Sequence, residues 1–217
     1  MSDDTKDEHY VVRQYETETM TKTFEHDLKG HYIKAKEIVQ NDDGNMFLCP
    51  YLNHGVFNVL IFDREKVILD LNVNEVTRSS GVPGQEDINI DASTRPNDNF
   101  PDPFCNACFT ENGTIFVNVY HAKSHCMFHF TYSIPDKKVT NACVKTQLDD
   151  NTRDFPLNCY YDKTRNYVYI FYRQGMSYMI PIEDFKRVMK QTISEFDIGS
   201  TLLYNDKVMM VKSSSQL

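Results

Sequence analysis

Residues 104–126 read "FCNACFTENGTIFVNVYHAKSHC". Two readings compete for this stretch. Cys105, Cys108, His121 and His125 follow C-x2-C-x12-H-x3-H, the spacing of a two-cysteine, two-histidine zinc finger. The same residues also read as a β-hairpin, with "FCNACF" and "TIFVNVY" flanking the turn "TENG". A finger places its histidines on a helix, whereas Ile115, Val117 and Val119 alternate as in a strand and Asn112-Gly113 is a turn dipeptide. Asn112 and Asn118 also stand where a finger carries its apolar residues between the ligand pairs. The hairpin reading is favoured, and zinc binding is kept as the third function class.

Working outward, the hairpin recurs. Cys49 leads through a polar turn to Phe62, Cys108 to Tyr120 and Cys159 to Tyr172, each time with an aromatic and β-branched second strand. Phe100-Pro101 and Phe155-Pro156 introduce the second and third units, and Ile134-Pro135 and Ile180-Pro181 close their second strand pairs. A cysteine shared by three units reads as a small buried strand residue. Repeats of roughly 40 to 50 residues with about four strands each are the pattern of β-propeller blades. The fold expectation is therefore all-β with one late α-helix: repeated antiparallel meanders, propeller-like, with a β-sandwich as the alternative. A fourth unit begins near Thr201, and the N-terminal strand is a candidate to complete it.

The late helix is expected over residues 183–196, "EDFKRVMKQTISEF", where Phe185, Val188, Met189, Ile193 and Phe196 recur at steps of three and four. Lys186, Arg187 and Lys190 then form its solvated face. Residues 31–40 read as a strand, with a short helix as rival. Residues 1–30 are a polar N-terminal segment, partly disordered. Residues 31–212 are a single β-rich domain, and 213–217 a tail. Within the domain, residues 75–103 are rich in Ser, Gly, Pro, Asp and Asn and read as a long loop, either functional or disordered.

The chain has 217 residues, a formal net charge of −8 and 41% hydrophobic residues. That apolar content suffices for a packed core. The negative charge argues against nucleic-acid and anionic-membrane partners. No secretory leader or membrane-length apolar run is visible, so an intracellular protein is expected, cytoplasmic more than nuclear. Its six cysteines are then expected as thiols. The sequon at Asn112 reads as turn chemistry rather than a glycan acceptor.

No nucleophile elbow, phosphate loop or dinucleotide fingerprint occurs, so no catalytic, cofactor or metal residue is assigned. His121, His125 and His129 are spaced by four, but His121 and His125 flank a turn while His129 lies in a strand, read as facing a polar side. The leading function class is a non-catalytic module that presents loops to a protein partner, at residues 75–103 and the His121–His125 turn. The alternative is an enzyme with a loop-built site that includes His121 and His125. Exposed strand edges also allow a homo-oligomer.

Overall fold

The computed structural model describes residues 10–28, 34–35, 38–53, 56–79, 104–121, 126–147, 156–193, 198–204 and 207–212. They form seventeen strands and one helix among the described residues, in two compact units, the first holding β1–β7 and the second β8–β17.

In the first unit, β1 (Tyr10–Tyr15) and β2 (Lys22–Leu28) make an antiparallel hairpin. It lies inside the segment read as polar. The reason it escaped notice is local: Val12 and Phe24 are buried, but Val11 is only half-buried, Tyr15 is exposed, and Arg13, Lys22 and Glu25 are exposed and paired. The next sheet runs through β5 (Phe47–Asn53), β6 (Val56–Phe62) and β7 (Val67–Asn72). Two short strands, β3 (Lys34–Ala35) and β4 (Val39–Gln40), share the outer edge of β5. Within residues 31–40, the described residues thus supply strands, as the first reading expected. Phe24 stacks on Phe62 with centroids 5.0 Å apart, and Val12 joins Cys49, Tyr51 and Leu60 in the same core. Burial of Phe24 contributes about 1.5–3 kcal/mol toward holding the hairpin on this core.

A helix, α1 (Val73–Ser79), follows β7. It occupies the start of the stretch read as a loop. Asn72 Oδ1 accepts from Glu75 N at 3.1 Å, which caps the first turn, and Glu75 and Arg78 sit at the ends that suit their charges. Residues 80–103 lie outside the described residues.

The second unit carries two four-stranded meanders. In one, β8 (Phe104–Phe109), β9 (Thr114–His121), β10 (Cys126–Ser133) and β11 (Lys138–Gln147) pair in chain order. All four were expected. The β8–β9 turn needs two residues with positive φ, and Asn112 (φ 58°) and Gly113 (φ 68°) supply them at low cost. The other meander is β12 (Pro156–Asp162), β13 (Tyr167–Tyr172), β14 (Met176–Pro181) and β15 (Met189–Thr192). A last hairpin pairs β16 (Ile198–Tyr204) with β17 (Lys207–Lys212).

The strand β15 corrects the expected late helix. Met189 pairs with Met179 and Lys190 with Tyr178, so the segment closes the sheet edge. The preceding residues turn around Asp184, whose carbonyl accepts from Arg187 N at 3.0 Å and whose Oδ1 accepts from Lys186 N at 3.1 Å. Phe185 and Val188 do face the core, but from a turn. Helical spacing of apolar residues was outweighed by the open edge of β14, whose backbone groups need partners. The basic residues Lys186, Arg187 and Lys190 are exposed, as a solvated face requires.

Candidate functional site

Strand register places three polar side chains in one line. Asn106 on β8 pairs with Asn118 on β9, which pairs with His129 on β10. Direct cross-strand partners share a face of the sheet, with Cα atoms about 4.5–5.5 Å apart. All three are buried: Asn106 is 3% exposed, Asn118 and His129 0%. The rows on either side, Cys108–Phe116 and Tyr120–Met127, belong to the apolar core shared with Cys159, Ile170, Tyr178 and Ile180 of the β12–β15 sheet.

This polar row holds the neighbouring sheet by its backbone. Asn106 Nδ2 donates to Leu157 O at 2.9 Å. His129 Nε2 lies 3.4 Å from Phe185 O. A carbonyl only accepts, so Nε2 carries the proton and Nδ1 presents a lone pair. At the sheet's far edge Asn141 Nδ2 donates to Ile182 O at 2.7 Å. The His129 ring is stacked at 5.8 Å on Phe116 and meets the edge of Phe185 at 5.0 Å. Burial pushes its pKa down to about 4, so the ring is neutral near pH 7. His129 was expected on a polar face. Every residue of β10 is buried, so the strand has no solvent face for the ring to take.

Four atoms of the row have no hydrogen-bond partner among the described residues: Asn106 Oδ1, both polar atoms of the Asn118 amide, and His129 Nδ1. The corresponding rows elsewhere differ. Taking the aromatic end of the second strand as reference (Phe62, Tyr120, Tyr172), the equivalent row is Cys49–Leu60–Asp70 in the first unit and Cys159–Ile170–Tyr178 in the β12–β15 sheet. The residue equivalent to Cys49 and Cys159 is therefore Asn106, two positions before Cys108. Alignment on cysteine identity placed the repeat one row out. Asp70 is exposed and accepts from the Tyr51 hydroxyl at 2.7 Å, so the first unit keeps its polar member at the rim.

The zinc-like spacing meets a geometric obstacle. Cys105 and Cys108 are three apart on a strand without a bulge, so they project from opposite faces. Cys49, Cys105, Cys108, Cys126 and Cys159 are all buried and none of them is in a disulfide, and burial raises the Cys49 thiol to about 11. Among the described residues no group of three His, Cys, Asp or Glu side chains comes together as a metal site. His121 ends β9, but its side chain, His125 and Cys143's side chain lie outside the described set, as does most of the 75–103 stretch. Among the described residues no helix is long and apolar enough to cross a membrane.

No family model matches the chain, and no curated protein matches it. Solved structures do. Sqt1 of Saccharomyces cerevisiae superposes on 94% of this chain and 50% of its own length, with a TM-score of 0.55 and 7% identity. The β-propeller domain of Cps50 (Swd1) from Myceliophteria thermophila covers 93% of this chain and 57% of its own length, with a TM-score of 0.53 and 11% identity. The chain spans about half the length of the structures it matches. The fold is therefore all-β and propeller-like, and the sandwich alternative falls.

Proposed function

We propose that this propeller-like chain is a non-catalytic scaffold that binds a protein partner through the loops joining its strands. The observation that carries the reading is where the chemistry-bearing side chains go. The donors of Asn106, His129 and Asn141 are engaged with backbone carbonyls of β12 and of the β14–β15 connection, and five cysteines are buried. Such groups fix architecture, and a fold of stacked meanders with rigid interiors leaves recognition to its loops. The excess of acidic residues favours a protein over a polyanion as partner. Residues 80–103 and the turn after His121 are the proposed contact segments, and an intracellular soluble setting is the proposed context.

The test is affinity capture with cross-linking. The full chain is compared with one in which residues 81–102 are replaced by a short Gly/Ser linker, after circular dichroism shows both folded. The expected outcome is a partner cross-linked to residues 80–103 or to the turn after His121, captured by the full chain and lost from the shortened one. An unchanged set of captured proteins would remove the long segment from the proposal.

A further inference from the structure

We infer that Asn106, Asn118 and His129 form an internal water-binding site between the β8–β11 and β12–β15 sheets, which completes a hydrogen-bond chain from Leu157 O to Phe185 O. The reasoning starts from donors and acceptors. The row offers three acceptors without partners among the described residues, Asn106 Oδ1, Asn118 Oδ1 and His129 Nδ1, and one donor group, Asn118 Nδ2. Flipping the Asn118 amide exchanges two of these roles and leaves both atoms in need of a partner. Buried polar atoms of native proteins are almost always satisfied, by protein or by ordered water.

The inventory selects the ligand's class. A cation is opposed by the Asn118 NH2 group, and an anion by three lone-pair acceptors. An apolar molecule satisfies none of them. What fits is small, neutral and able both to donate and to accept. One water donating to His129 Nδ1 and to Asn106 Oδ1, and accepting from Asn118 Nδ2, makes three hydrogen bonds, the usual number for a buried water, and Asn118 Oδ1 is left to a second water. The row also uses smaller side chains than its counterpart. Where the β12–β15 sheet has Ile170 and Tyr178, the β8–β11 sheet has the smaller Asn118 and His129. The tautomer set by Phe185 O leaves Nδ1 as an acceptor that needs a donor.

The test uses the intact chain labelled with nitrogen-15. Water-to-protein NOE and ROE spectra are recorded on the Asn118 side-chain amide protons, and thermal unfolding is compared between the native chain and Asn118→Leu. A site that holds water gives same-sign NOE and opposite-sign ROE peaks of a long-lived water at the Asn118 amide. The variant then loses those peaks and melts lower by on the order of 5 °C, because His129 Nδ1 and Asn106 Oδ1 are stranded. A dry row gives no long-lived water peak, and Asn118→Leu then raises Tm by removing an unsatisfied amide from an apolar core. That pair of results overturns the inference. If Asn118→Leu does not fold, the spectra of the native chain decide alone, and absence of the water peak overturns it.

Discussion

The β8–β11 and β12–β15 sheets are both four-stranded antiparallel meanders that contribute to one core, yet they fill the equivalent central row in opposite ways. One uses Cys159, Ile170 and Tyr178, the other Asn106, Asn118 and His129. The apolar row shows that the meander itself does not require polar residues there. The polar row then has a different consequence. It ties the sheets at chosen points, Leu157 O and Phe185 O, where an apolar row constrains only shape. Directional bonds fix position more tightly than dispersion, but they fail more steeply when one member is removed.

Four substitutions or conditions probe this contrast, in falling order of effect. His129→Ala removes a fully buried ring held by Phe116 and Phe185 and the donor to Phe185 O. Loss of about 4 kcal/mol is expected in guanidinium unfolding at constant slope. A loss under 1 kcal/mol would mean that the ring is not part of the interface.

Acid comes next. His129 has a folded pKa of about 4 against an ordinary value of 6.5, so between these values the unfolded state binds more protons. Its contribution is intact above about pH 6.5 and is lost as pH falls toward 4, with a full span of about 3 kcal/mol. Unfolding midpoints measured from pH 7.5 to 4.5 are expected to decline more steeply for the native chain than for His129→Phe. Parallel declines would assign the acid sensitivity to other groups.

Asn106→Ala deletes the bond to Leu157 O and exposes no new surface, and about 1–2 kcal/mol is expected by the same unfolding assay. The smallest change is Cys159→Val, the counterpart in the apolar row. A loss below about 1.5 kcal/mol is expected, since a hydrophobic residue of similar size replaces another. Should Cys159→Val cost more than Asn106→Ala, the contrast between the two rows would be reversed.

Much of this was legible in the residues. Asn112-Gly113 announces its turn because few other residues accept positive φ, and the period-two runs of β8 to β14 announce their strands. The polar row was also written there: Asn106, Asn118 and His129 each share parity with a core neighbour, Cys108, Phe116 or Met127. It was missed because β8, β9 and β10 are buried on both faces, so no alternation marks a polar residue as inward-facing. Register within a hairpin is set by backbone pairing from the turn, which residue identity does not reveal, so the repeat aligned on Cys108 came out two residues off. The late helix failed for a related reason. Apolar steps of three and four describe Phe185 and Val188 correctly as inward-facing, but only the unpaired edge of β14 determines that Met189–Thr192 is a strand. The β1–β2 hairpin depends on two apolar anchors, Val12 and Phe24, too few to show as a pattern.

The most direct measurement of the central claim, that His129 is a neutral structural element of a buried polar row, is a pH titration of its ring nitrogens by NMR. The expected result is a single Nε2–H tautomer that persists through pH 6 and begins to protonate only near pH 4, together with the onset of unfolding. A ring that titrates near pH 6.5 in the folded chain, or that carries its proton on Nδ1, would contradict the account.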